Sequence, residues 1–172
     1  MRPPARNRFE WHKLAEDNTV PVFLIRHGQT SWNKERRFLG RTDIPLDDEG
    51  KAQASQVALS LRDTPLAGLY SSPLARAWET AEAISAACAL PITSVSDLTE
   101  LDQGEIEGHH SEVLLTRYAD FFHEWTEDPA HARVPGGETL AECQQRASNA
   151  IHQILAQHKP GNPVVIVSHR MT

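Results

Sequence analysis

Val22-Phe23-Leu24-Ile25-Arg26-His27-Gly28 is the stretch that decides how this chain folds: four apolar side chains in a row, then an arginine, a histidine and a glycine. A short unbroken apolar run closed by a glycine fits a strand buried on both faces of a parallel sheet, because nothing in it alternates between core and solvent. The same plan returns near the end of the sequence, where Val164-Val165-Ile166-Val167 runs into Ser168-His169. Leu69 to Ser71 and Ile92 to Val95 read as two more strands of this kind. Helical patterns separate them. Asp47 stands as a cap ahead of an apolar stripe of Ala54, Val57, Ala58 and Leu61, and Ser72 with Pro73 starts an alanine-rich helix that runs to about Ala89. The alternation is βαβ-like and predicts the α/β class with a parallel sheet.

The remainder of the chain is helical and polar by turns. Ser111 opens a helix carrying Leu115, Tyr118, Phe122 and Trp125, and residues 129–137 form a loop. Thr139 and Glu142 make a capping box for a last helix with Leu140, Cys143, Ala147, Ala150, Ile151 and Ile154 on one face. Residues 1–19 are polar and aperiodic, a frayed extension or a short surface helix around Phe9 to Leu14, so one domain is expected over residues 20–172. The 17 Lys+Arg against 23 Asp+Glu give a net charge of -6, which argues against a surface made for nucleic acid or anionic lipid. No apolar run approaches the ~20 residues of a membrane span, and no h-region follows the basic N-terminus, so a cytoplasmic protein is expected. The two cysteines, Cys88 and Cys143, sit in helical sequence and read as buried thiols.

Chemistry concentrates at the strand ends. In an open parallel sheet the ligand crevice lies beyond the carboxyl ends of the strands, so His27 and His169 can face each other across one site. A third strand end, Tyr70-Ser71-Ser72-Pro73, leads into a helix whose first turn carries Arg76. Two arginines, two histidines and a helix N-terminus suit a phosphoryl group, because the guanidinium fork bonds two oxygens at once and stays charged.

Arg26-His27-Gly28-Gln29-Thr30, Asn33, Ser71-Ser72-Pro73-Leu74-Ala75-Arg76-Ala77 with Thr80, Glu100 and Ser168-His169 together resemble the signature set of the histidine phosphatase superfamily. Several motifs in the right order are far more specific than an Arg-His-Gly triplet alone. The resemblance implies a phosphoglycerate mutase-like three-layer sandwich, with a mostly parallel central sheet and helices on both faces. It implies a phosphate monoester as substrate, with His27 forming a phosphohistidine and Arg26, Arg76 and His169 holding the equatorial oxygens. Glu100 would protonate the leaving group, and Asn33 and the Gly40 backbone would line the phosphate pocket. A small phosphorylated metabolite is the expected partner, with no cofactor and no metal, because the cationic side chains already stabilise the transferring charge.

Other assignments compete at several positions. Glu105 and Glu107 are alternative acids, but Gly104 and Gly108 mark a turn-rich segment where carboxylates are solvated. His109-His110 reads as surface loop, and Phe121, Phe122 and Trp125 read as core. Pro135-Gly136-Gly137-Glu138-Thr139 resembles a loop of the short phosphatase branch, whereas a phosphoglycerate mutase would carry a threonine at Leu39 and a Glu-Arg-His pattern at Glu100-Leu101-Asp102. In the family the second histidine is followed by glycine, a helix and a strand; here Arg170-Met171-Thr172 follows His169. The expectation is a C-terminally incomplete domain lacking the last helix and strand, with one sheet face open to a second copy or with phosphate bound but not turned over.

Overall fold

The computed structural model describes residues 18–172, so the extension and the surface helix expected around Phe9 to Leu14 lie almost wholly outside the described residues. Four strands appear where the apolar runs stand: β1 (Val22–Arg26), β2 (Gly68–Ser71), β3 (Ile92–Ser94) and β4 (Val164–Ser168). They form one parallel sheet in the order β1-β4-β2-β3. Ile25 is opposite Val167 and Arg26 opposite Ser168, so the two histidines leave neighbouring strands at the same level.

Only β4 is buried along its whole length. The expectation that all four strands are buried on both faces fails for β1 and β3, because the topology puts them at the sheet's edges. In β1, Leu24 remains 61% exposed, and in β3 both Thr93 and Ser94 are exposed. An apolar run reports hydrophobicity, whereas its position in the sheet decides how much of it is covered.

Helices α2 (Asp48–Leu61) and α3 (Ala75–Cys88) cover one face. Ala58, Leu61, Ala77, Ala81 and Ile84 pack there on Leu69, Val165 and Val167. On the other face α6 (Leu140–Leu155) sets Ala150 and Ile154 against Tyr70, Val164 and Ile166. The protein is therefore a three-layer α/β sandwich. The caps form as the sequence reads: Asp47 accepts from the Gly50 amide at 2.8 Å, and Thr139 and Glu142 close a reciprocal capping box. Helix α3 begins later than expected, because the Leu74 backbone is still extended, and it ends where Ala89 turns left-handed at φ 55°.

Between the sheet layers and the loops lies a third apolar cluster of Leu101, Ile106, Leu114, Phe121, Val134 and Cys143. The single helix expected from Ser111 is two, α4 (Ser111–Arg117) and α5 (Ala119–Glu127), broken at Tyr118. The break rotates the periodicity, so Leu114 and Phe121 are buried while Leu115 is 57% exposed. Together with the four-residue α1 (Ser31–Lys34), these elements surround the carboxyl end of the sheet.

Candidate active site

The loop after β1 is shaped by two glycines. A Cβ on Gly28 would collide with the Gly50 carbonyl, and one on Gly50 would collide with the Gln29 carbonyl, so the start of α2 lies directly on this loop. The Gly28 amide donates to the Thr80 hydroxyl at 3.1 Å, and that hydroxyl donates to the Arg76 carbonyl at 2.7 Å. His27 is thereby fixed to the first turns of both helices. Its own amide donates to the Ser168 carbonyl at 3.0 Å, which ties it to the strand that carries His169. The two imidazoles stand 5.2 Å apart between ring centroids.

The tautomer of His27 follows from its partner. Nδ1 lies 2.7 Å from the Gly28 carbonyl oxygen, which can only accept, so Nδ1 carries the proton and the Nε2 lone pair is left for chemistry. Burial pushes the imidazole down to about 4, the Arg76 and Arg26 charges push the same way, and the Gly28 bond opposes them only in part. His27 is neutral at physiological pH. His169 is held far below the usual imidazole range by burial first and then by the charge of Arg76. Its Nε2 bonds the Ser72 hydroxyl at 2.8 Å.

Glu100 is 3% exposed. Oε1 accepts from the amides of Leu101 at 2.8 Å and Met171 at 3.1 Å, and Oε2 accepts from the Arg170 amide at 3.1 Å. Three amide donors favour the carboxylate, as does the nearby Arg76 charge, yet burial outweighs them and the carboxyl titrates above its ordinary range. Of the alternative acids, Glu105 is exposed and accepts from the Tyr118 hydroxyl. Glu107 is not simply solvated, as its glycine-rich surroundings suggest; it accepts from the Arg41 amide at 2.6 Å and from the Thr42 amide and hydroxyl, strapping residues 40–42 in place.

A cavity of about 620 Å³ opens beside His27. Arg26, His27, Asn33 and Glu100 line it, which brings together four of the expected site residues. Asn33 is oriented by a capping box in which its Oδ1 accepts from the Thr30 amide and hydroxyl, so its amide N–H₂ is the part left for the cavity. Arg76, His169 and Gly40 do not line the cavity. Arg76 donates from Nη1 to the Thr42 carbonyl at 3.0 Å and from Nη2 to the Gly40 carbonyl at 2.6 Å, so these two expected phosphate ligands hold each other. Arg76 Nε and His169 Nδ1 are buried without a partner among the described residues.

Six contributors, in three groups, escape a reading of the sequence. The Ser72 hydroxyl that orients His169 lies 97 residues away from it in the chain. Phe121, Phe122 and Trp125, expected as plain core, line the cavity as well as packing on one another. Arg146 and Glu138 tie down the segment that carries Glu100. The only advance signal for the aromatic residues is their i, i+1, i+4 spacing on a helix between Gly108 and Pro135.

Among the described residues no helix is long and apolar enough to cross a membrane, and no group of three or more His, Cys, Asp or Glu side chains is placed to hold a metal ion. Comparison with known proteins finds relatives on both sides of the phosphatase and mutase divide. The probable phosphoglycerate mutase GpmB of Citrobacter koseri is 36% identical over 150 residues, spanning 87% of this chain and 69% of that relative. Bacillus stearothermophilus YhfR superposes with a TM-score of 0.79 at 34% identity over 87% of this chain and 74% of its own. The alpha-ribazole phosphatase of Shigella flexneri gives 0.78 at 30% identity, over 87% and 73%. The model of the histidine phosphatase superfamily (branch 1) matches residues 22–172, and the chain belongs to that superfamily.

Proposed function

We propose that this protein hydrolyses a phosphate monoester through a phosphohistidine on His27. The observation that carries the reading is the state of that side chain: a neutral imidazole that lines the cavity, with its Nδ1 proton committed to the Gly28 carbonyl and its Nε2 lone pair left free. In the first half-reaction Nε2 attacks phosphorus and the bond to the ester oxygen breaks, while Glu100 gives its proton to the departing alkoxide. In the second, the Glu100 carboxylate takes a proton from a water that attacks phosphorus; the P–N bond breaks, inorganic phosphate leaves, and both residues return to their starting states. Arg26 and the Asn33 amide reach the cavity as donors to the phosphoryl oxygens.

The two orphaned nitrogens support an oxyanion close behind His27, since buried polar atoms without partners are costly and a phosphoryl group supplies acceptors. With the Ser72 hydroxyl donating to His169 Nε2, Nδ1 of that ring becomes an N–H aimed at such an acceptor. Arg76 then serves through Nε while its terminal nitrogens keep residues 40–42 in place.

The relative bearing a mutase name makes phosphoglycerate isomerisation the second reading. Against it stands Leu39, which lines the cavity as a buried apolar side chain at a position where a mutase would place a hydroxyl. The test is steady-state hydrolysis of p-nitrophenyl phosphate, with and without EDTA, by the protein and by His27→Ala, together with acid quench to trap phosphoprotein. Turnover indifferent to chelator and an acid-labile, base-stable label, both lost in the variant, are expected. Isomerisation of 3-phosphoglycerate faster than its hydrolysis would move the protein to the mutases, and phosphate binding without any turnover would make it a binding module.

A further inference from the structure

Both terminal nitrogens of Arg76 are taken by one short loop: the Gly40 and Thr42 carbonyls accept them, and Nε is left buried without a partner among the described residues. A guanidinium is planar and rigid, so whatever fixes those two carbonyls also fixes the direction of the Nε–H bond. Glu107 holds the same loop by its donors. Its half-buried carboxylate accepts from the Arg41 amide on Oε1 and from the Thr42 amide and hydroxyl on Oε2. A Cβ on Gly40 would collide with this carboxylate, so the loop and the side chain are in direct contact. The loop is pinned at its ends as well. On one side the Phe38 amide donates to the His109 carbonyl at 3.0 Å and the Gly108 amide to the Phe38 carbonyl at 2.8 Å. On the other, Asp43 accepts from the Ala75 amide at 2.6 Å, one residue before Arg76. Residues 38–43 therefore join the segment that follows Glu100 to the start of α3.

The geometry points to Glu107 as a positioning residue for phosphoryl binding: through residues 40–42 it fixes the plane of the Arg76 guanidinium and aims Nε–H at a phosphoryl oxygen. The inference rests on the placement of the phosphoryl group at Arg76 given under the proposed function, and adds the side chain that makes Arg76 able to meet it. Glu107 is not among the residues that line the cavity, so it acts only through the loop. A carboxylate suits the task because both oxygens are acceptors and all the groups facing them are donors. Glutamine would turn its N–H₂ against one of those donors. Charge works in the same direction: burial opposes the Arg76 cation, and Glu100, Asp43 and Glu107 offset that cost.

The experiment is a double-mutant cycle on the calorimetric Kd for inorganic phosphate, with Tm measured alongside. Arg76→Met should weaken phosphate about 100-fold, as loss of a charged donor to an anion allows, and Glu107→Gln about tenfold. If Glu107 acts through Arg76, adding Glu107→Gln to Arg76→Met costs nothing further, whereas independent effects multiply. Multiplied losses overturn the inference, and so does a Glu107→Gln protein with a lowered Tm but an unaltered Kd, the mark of a merely structural role. Where Arg76→Met does not fold or the unaltered protein binds no phosphate, the ¹⁵N-detected Nε–H resonance of Arg76 decides. Glu107→Gln should displace that resonance in the ligand-free protein, and coincident resonances overturn the inference. None of these readings needs turnover, so failure to hydrolyse p-nitrophenyl phosphate sinks the phosphatase reading without touching this one.

Discussion

Removing the guanidinium of Arg146 tests how Glu100, the proposed acid, is held. Arg146 projects from α6 and grips Glu138 with two nitrogens, Nη2 at 2.5 Å and Nε at 3.2 Å; the two side chains are only 17% and 13% exposed. Its Nη1 also donates to the carbonyls of Asp97 at 2.8 Å and Thr99 at 2.6 Å, and Nη2 donates to that of Glu100 at 3.0 Å. Glu138 in turn accepts from the Asp102 amide at 2.9 Å. Burial would raise the Glu138 carboxyl, but the bond to Arg146, the Asp102 amide and the charges of Arg146 and Arg41 hold it below the ordinary range. The pair thus fixes residues 97–102 from both sides, with Glu100 between them. Arg146→Met keeps the apolar stem, leaves Glu138 with the Asp102 amide and the 3.4 Å ion pair to Arg41, and deprives three carbonyls of their donor. Breaking a buried pair costs ~3–5 kcal/mol, and the residual exposure of this one puts the expected loss at about 3 kcal/mol. That is a large share of the ~5–15 kcal/mol that holds a domain folded. Arg146→Lys keeps the charge without the fork and should lose about 1–2 kcal/mol. Urea unfolding with an unchanged m-value measures both. At temperatures where the variants stay folded, hydrolysis of an alkyl phosphate should fall more than that of an activated aryl phosphate, since only the former needs a well-placed Glu100 proton. A loss below about 0.5 kcal/mol for Arg146→Met, the level of an ordinary surface substitution, would refute the clamp.

Two further outcomes concern protons. Glu100 must be protonated to assist a poor leaving group, so kcat/KM for an alkyl phosphate should fall as pH rises through its raised value; Glu100→Gln should abolish that limb, and an identical limb on an activated aryl ester would assign it elsewhere. His27 titrates near 4 when folded and near 6.5 when unfolded, so between those values the unfolded chain binds more protons and stability falls as pH falls. The loss should approach ~3 kcal/mol below pH 4. His169, held lower still, adds a slope of the same sign over this interval, so His27→Asn should remove about half of the combined fall between pH 6.5 and 4, and an unchanged slope there would show that His27 does not carry its share.

The sequence by itself determined the elements and the chemistry at their ends. Val22 to Ile25 and Val164 to Val167 read as strands because four consecutive β-branched or large apolar residues bounded by turn signals match the length of a strand and fall short of a helix. Asp47, Thr139 and Glu142 had to be caps because a short oxygen-bearing side chain before an apolar stripe satisfies free amides locally. That Arg26, His27, Asn33 and Glu100 meet at one cavity was legible because the motif residues of the family stand in fixed order. Only the tertiary structure decided that β1 is an edge strand, that Arg76 holds Gly40 and Thr42 rather than opening to the cavity, and that Ser72 orients His169. It also decided that Phe121, Phe122 and Trp125 line a cavity, where sequence pattern reads them as core. The reason is one of range. Strands, helices and caps are set by contacts within a few residues, whereas strand order, hydrogen-bond partners 30 to 100 residues distant and the side of an aromatic ring that faces a void depend on how the finished layers pack.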